Sequence, residues 1–413
     1  MFMQPANQAF TFSLRAAFTF DRYLMAQVAS LPHQGIQQGR NMIRSFVTAI
    51  AVVATVNAGY ACTAVDIVAK DKSVIAGRTM EWAFDMQWTL VSQPKGTQIS
   101  LTAPAALNMP AVPVQTKYSV VGVSPGVIPG GALLEGQNAE GLGMSGNFLP
   151  GFTEYQAVTK DDKNYVSVLT FGSWALGNHA NVADLRKALP GMKVWWNAEL
   201  PSGPTPPMLH FIFTDRSGDG MVVEFVNGEL QIHDNVANVL TNAPTYEWHL
   251  LNTRNYLNLS TMGVSDRTFG TTNVTALGQG GGLTGLPGDY TPPARFLRAA
   301  FMRHNITTPA NAAEAIQAMG HILNTVDIPL GIAQSKDGKE IVSDYTQFVA
   351  IKDLTNNTLT ISDYAHRTTY LTLDLNVIFA QIEPSQVLIS ELPYPAKIDG
   401  TSALKTSTTG ARN

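Results

Sequence analysis

Cys62 is the only cysteine in a chain of 413 residues, and it stands directly behind a leader-like segment. That position constrains the fold in two ways. It rules out an intrachain disulfide, so whatever forms must be held together by its core. It also marks where the folding chain is expected to start. Residues 42–61 read as a signal peptide. Arg44, with Arg40 just upstream, supplies the positive charge, Ser45 to Val56 the apolar run, and Gly59-Tyr60-Ala61 a small-x-small cleavage site. Cleavage after Ala61 would leave Cys62-Thr63-Ala64-Val65 as the mature start. A lipid-modified cysteine would want Leu and small residues ahead of it, and Tyr60 fits that pattern poorly. Residues 1–41 carry Arg15, Asp21 and Arg22 without a core pattern, and read as an overcalled start or a dispensable leader.

A lone cysteine is most often a small buried hydrophobe. At the start of a mature chain it carries a nucleophile and a base on one residue, because its own α-amine can take the thiol proton. That amine titrates near ~8 and the thiol near ~8.5, and a neighbouring guanidinium would lower the thiol further. Thr63–Lys70 and Ser73–Trp82 read as two strands around a turn at Asp71-Lys72, a hairpin expected to bring Arg78 near Cys62. Glu81, three residues beyond Arg78, could accept hydrogen bonds and hold charge near the amine. Acyl transfer also needs donors at the developing oxyanion, which Asn side chains can supply.

The remaining pattern is that of one large domain, 62–396, followed by a polar tail over 397–413. Further strands are expected at Thr89–Pro94 and Lys117–Val123, and a strand–turn–strand over Ala132–Gly151 turning at Asn138–Gly141. Helical spacing follows at Val166–Leu176 and Asn181–Leu189, then a meander over Met208–Asn235 and a strand over Asn238–His249. Pro292–Arg303 and Ala310–Val326 read as helices, and Phe348–Tyr364 as a hairpin turning at Asn356-Asn357. Strands, then helices, then strands argue for a single α+β domain with layered sheets. A net charge of -4 offers no footprint for nucleic acid. No second apolar run reaches the ~20 residues that span a bilayer, so no membrane insertion is expected after processing and the mature protein would be periplasmic or secreted. The run Gly278–Gly288 lacks the Lys-Ser/Thr of a phosphate loop. The eight histidines show no metal spacing, so neither metal nor other cofactor is expected.

Four blocks together resemble the choloylglycine hydrolase and penicillin V acylase family, cysteine members of the N-terminal nucleophile hydrolases. They are Cys62-Thr63 with GRTMEW at Gly77–Trp82, Glu135–Gly151, Leu240–His249, and Thr275–Phe301. The resemblance implies a four-layer αββα fold and a small-molecule amide substrate. It implies Cys62 as nucleophile, Arg78 beside the thiolate, Asn147 and Asn242 near the oxyanion and scissile amide, and Arg295 as a second active-site arginine. Glu81 departs from the family, which usually has Asp there. The extra methylene moves the carboxylate by ~1 Å, a displacement on the scale that alters rates. Met80, Trp82, Met144 and Phe148 would line the mouth of the acyl pocket. Asn147, where penicillin-preferring relatives often carry Tyr, favours conjugated bile salts. Trp82 points instead to penicillin V or N-acyl-homoserine lactones. A hairpin within Thr253–Thr275 would mediate a homotetramer. The reading from another class is an exported binding protein of the same fold, inactivated at Glu81.

Overall fold

The computed structural model of the chain describes residues 61–128, 132–200, 207–337, 340–396 and 398–403. The expected leader other than Ala61, residues 1–41, and 404–413 of the polar tail lie outside the described residues.

Two antiparallel sheets stack face to face. The first contains β1 (Cys62–Val68), β2 (Val74–Trp82), β10 (Val239–Leu240), β11 (Ala333–Asp337), β12 (Glu340–Asp353), β13 (Thr358–Asp363) and β14 (Leu371–Asp374). Their order is β10-β1-β2-β12-β13-β14, with β11 added on β12. The second contains β3 (Trp88–Gln93), β4 (Val120–Pro125), β5 (Glu135–Asn138), β6 (Leu142–Phe148), β7 (Leu209–Asp215), β8 (Gly220–Val226), β9 (Glu229–Asp234) and β15 (Ser385–Leu388). Its order is β9-β8-β7-β6-β5-β4-β3-β15. Helix α1 (Val168–Asn178) covers the outer face of the second sheet, followed by α2 (Val182–Ala188). Helices α4 (Pro292–Asn305) and α5 (Ala312–Asn324) cover the outer face of the first. The architecture is the expected four-layer αββα fold of the N-terminal nucleophile hydrolases.

Each layer follows from its residues. Helix α1 is apolar on nearly every side and almost wholly buried, as a helix pressed between sheet and loops must be. Helices α2 and α5 start as expected of Asn N-caps: Asn181 and Asn311 each accept the backbone N–H three residues on. Gly77 on β2 lets α5 approach closely, since a Cβ there would lie 2.6 Å from Met319 Cγ. The β5–β6 turn ends at Gly141 with φ +81°, the left-handed region that favours glycine.

The strand expected over Asn238–His249 is only partly one. β10 is two residues long, and after Pro244 the chain enters helix α3 (Tyr246–Asn252). The N–H of Tyr246 in the helix's first turn, which has no intrahelical partner, is taken by the buried Glu224 carboxylate of β8 at 3.0 Å. A cap supplied from twenty-two residues away is invisible to local pattern. Within 253–275 a short hairpin forms, Arg267–Phe269 against Thr272–Val274, fully exposed.

Candidate active site

β1 and β2 pair with Cys62 opposite Met80 and Ala64 opposite Arg78. Arg78 is therefore not the direct partner of Cys62 but stands two pairs further in, on the same face. Alternation along the two strands sorts the site by face. Cys62, Met80 and Arg78 point between the sheets, while Thr63, Thr79 and Glu81 point toward α4.

On the inner face, Cys62 is 2% exposed within a cluster that includes Met80, Met86, Val121 and Phe348. Its Sγ lies 3.6 Å from Met80 Sδ, and the same Met80 sulfur lies 3.5 Å from an Arg78 terminal nitrogen. The other terminal nitrogen of Arg78 donates to Leu134 O, just before β5, and to Gly146 O of β6, both at 3.0 Å. The thiol was expected to be lowered by this guanidinium. Burial instead pushes it above its ordinary value and outweighs the opposing pull of Arg78, the Glu81 backbone N–H and Arg295.

Where the expected leader would end, Cys62 N donates to Asn242 Oδ1 at 2.6 Å. In this chain that nitrogen is a peptide nitrogen, bonded to Ala61. Arg295, wholly buried on α4, holds the same corner. It donates to Cys62 O at 2.6 Å, Thr63 Oγ1 at 2.7 Å and Asn242 Oδ1 at 2.8 Å. Asn242 Nδ2 donates to Phe148 O at 2.9 Å. An amide nitrogen carries two N–H groups, so Asn242 keeps one for an incoming oxygen.

Asn147 differs from expectation. Its Nδ2 donates to Leu240 O at 3.0 Å and Thr241 O at 2.9 Å. Both N–H groups are spent, so this side chain has no donor left for an oxyanion. It pins the strand end that carries Asn242 instead. His210 Nε2 reinforces the pin at 3.0 Å from Thr241 O, and its Nδ1 is 2.9 Å from Glu224 Oε1. His249 Nε2 contacts Asn242 O at 2.8 Å, while its ring stacks on Phe296. Burial holds His249 down to about 4, so at neutral pH it is an uncharged imidazole whose Nε2–H donates to that carbonyl.

On the outer face, Glu81 is buried and Thr346 Oγ1 donates to its Oε1 at 2.6 Å. Burial pushes Glu81 up to about 7, against Arg295, the Thr346 and Thr79 hydroxyls and Arg78. The extra methylene is thus accommodated with a defined partner.

The pocket residues divide. Trp82 packs edge-on against Phe148 at 5.2 Å and Phe84 at 6.0 Å, and with Met80 these form an apolar wall by the thiol. Met144 does not belong there. It sits in the core between the second sheet and α1, where a Cβ on Gly172 would lie 2.9 Å from its Cε. Parity explains the difference: Met144 and Phe148 share the outer face of β6, and only Phe148, at the strand end, reaches Trp82.

Sequence reasoning missed a buried polar cluster between the sheets. Lys352 of β12 pairs with Glu135 of β5 and donates to Met144 O at 2.9 Å. Glu135 also accepts from Ser145 Oγ at 2.6 Å and lies 3.7 Å from Arg78. One lysine directly after the apolar run Phe348–Ile351 was the available signal.

A sequence model of linear amide C–N hydrolases, choloylglycine hydrolase family, matches residues 62–373. The bile salt hydrolase/transferase of Clostridium perfringens is 29% identical over 294 residues, 70% of this chain and 86% of that protein. The solved structure of a conjugated bile acid hydrolase variant from Clostridium perfringens superposes with a TM-score of 0.69 at 28% identity, covering 79% of this chain and 97% of that one. Penicillin V acylase from Agrobacterium tumefaciens shares the fold, with a TM-score of 0.63 at 21% identity over 79% of this chain and 91% of that one.

Proposed function

The chain belongs to the choloylglycine hydrolase family of linear amide C–N hydrolases, and on that premise we propose an exported cysteine amidase whose substrates are conjugated bile salts. Removal of the leader at Ala61 converts Cys62 N from amide to amine. The amine takes the thiol proton, which burial otherwise holds on sulfur. The thiolate attacks the amide carbonyl, with the second Asn242 N–H and Arg78 stabilising the negative charge. The protonated amine gives its proton to the leaving amine as the C–N bond breaks, leaving a thioester on Cys62. Water then adds to the thioester, the amine takes the water's proton, and free acid leaves as the thiol re-forms. Glu81, ionised, holds the amine through Oε2.

One observation carries this reading. Cys62 N and Arg295 converge on Asn242 Oδ1, at 2.6 and 2.8 Å, so the site is assembled around the very nitrogen that processing would free. The relatedness to bile salt hydrolase/transferases supports the substrate class. A second reading, an acylase for penicillin V or N-acyl-homoserine lactones, is favoured by the Trp82–Phe84–Phe148 aromatic wall. A homotetramer is supported by the number of exposed large apolar side chains on and around the 267–274 hairpin, Leu257, Met262, Phe269, Val274 and Leu277, since exposed apolar surface concentrated in one segment favours association.

The test compares taurocholate, penicillin V and a long-chain N-acyl-homoserine lactone on the exported protein and on C62A, with the N-terminus and assembly read by mass spectrometry. Taurocholate hydrolysis that vanishes in C62A is the expected result. Activity surviving C62A, or a mature chain that begins before Cys62, sinks the mechanism. Activity on none of the three favours the binding-protein reading.

A further inference from the structure

We propose that Thr346 is a positioning residue for Glu81, and that a bulge in β12 sets it in place. The inference rests on the reading of Glu81 as the carboxylate that holds the Cys62 amine.

β12 pairs with β2 so that Phe348 faces Met80 and Thr346 faces Glu81, with a register shift between them. Gln347 is the extra residue of this bulge. An unbulged strand would place Gln347 opposite Glu81 and Thr346 opposite Trp82. The bulge brings Thr346 onto the face that carries Glu81.

The bonding there has a direction. Ile328 N donates to Thr346 Oγ1 at 2.8 Å, and Thr346 N donates to Ile328 O at 3.0 Å. The residue is thus clamped at both backbone and hydroxyl. A hydroxyl has a single proton. The Ile328 N–H can only donate, so of the two partners only the carboxylate can take that proton, and it goes to Glu81 Oε1, at 2.6 Å. Oε1 is therefore already receiving a donor. Oε2 is buried with no partner at hydrogen-bonding distance among the described residues, and the Thr79 hydroxyl, likewise without one, is the remaining donor near the carboxyl. Oε2 is the oxygen left to hold the Cys62 amine, and the one protonated when Glu81 loses its charge. Thr346 selects that oxygen, and it fixes the extra side-chain torsion that distinguishes Glu from the family's usual Asp. The other charged or titratable groups acting on Glu81 are Arg295 from α4, Arg78 on β2 and the Cys62 thiol on β1. Asp344, elsewhere on β12, also feels the charge of Arg295.

The experiment measures kcat/KM against pH for the processed wild type, T346V, T346S, T346C and E81Q, on whichever amide the wild type hydrolyses. These profiles report the free enzyme's groups. Losing the donor disfavours the ionised carboxylate, so the limb governed by Glu81 is expected to move up by about one pH unit in T346V, with roughly tenfold loss in kcat/KM on its acid side. T346S should restore both. An unshifted limb in folded T346V, or a limb in T346S shifted as far as in T346V, overturns the proposal. If T346V does not fold, T346C decides. Its thiol is a weaker donor, so a partial shift supports the proposal and an unshifted limb overturns it. E81Q separates the two levels. Wild-type rates in E81Q sink the role of Glu81 and with it that of Thr346, whereas an inactive E81Q beside an unshifted T346V sinks Thr346 alone.

Discussion

Glu81 and Asp344 are two buried carboxyls that feel the same guanidinium, Arg295, and burial pushes each up to about 7. For Asp344 the starting value is 3.8, so the folded state holds its proton across a range where the unfolded chain has released it. Its stabilising contribution is full below about pH 4 and is lost as pH rises through 7. His249 runs the other way. Its folded value is about 4 against 6.5, so the native imidazole stays neutral and stability falls as pH drops from 6.5 toward 4. D344N removes the first effect and leaves the second. Urea midpoints between pH 4 and 8 should therefore decline less with rising pH in D344N than in wild type; parallel curves would refute it. The sequence makes the partners of Cys62 legible because Cys62, Arg78, Asn242 and Arg295 lie in compact blocks with distinctive neighbours. It does not disclose Asp344 or Thr346. Neither has a local signature: Thr346 enters the site through strand pairing with β2 across more than two hundred and fifty residues, and Asp344 lies just beyond that pairing, opposite Ala333 of β11. The role expected of Asn147 failed on a count of hydrogens, which needs the two carbonyls that consume them.

At the level of elements, the β12 bulge serves a second wall of the site. Gln347, the bulged residue, accepts from Trp88 Nε1 at 2.7 Å and donates to Trp82 O at 3.0 Å and Phe84 O at 2.7 Å. One side chain thus ties down the loop between β2 and β3 that carries the aromatic wall. Q347A should loosen that loop without touching Cys62, Asn242 or Arg295. The expected kinetic signature is a KM raised about fivefold to tenfold with kcat changed less than about threefold, since lost positioning of a bound acyl group weakens uniform binding. A Michaelis series on the active substrate checks it, and an equal fall in kcat with KM unmoved would show that the loop acts on the transition state instead. Hairpins, the meander and helices α1, α2, α4 and α5 were readable because their period and their turn or cap residues agree. The bulge and helix α3 were not. A bulge is a mismatch between two strands, and α3 depends on Glu224, whose carboxylate caps it from a different layer.

For the molecule as a whole, periodicity alone reached only an α+β domain with layered sheets. The αββα order came from the resemblance, because which faces of the sheets meet is decided by side chains that pair across the layers. Lys352 is the sharpest of these. Its ammonium is wholly enclosed, and burial lowers its proton affinity while Glu135 raises it back in part. A buried pair adds little net stability over an apolar replacement, but removing one partner strands the other's charge. K352M should therefore cost roughly 3–5 kcal/mol, at the lower end because Arg78 stays 3.7 Å from Glu135. The double variant K352M/E135L should recover part of that loss in a denaturant titration, since both charges leave together. Its activity should not recover in step, because Arg78 loses the carboxylate that orients it beneath Met80 and the thiol. If the double variant is instead no more stable than K352M, the interlayer contact is carried by the Met144 and Ser145 hydrogen bonds, at 2.9 and 3.4 Å, and not by the ion pair.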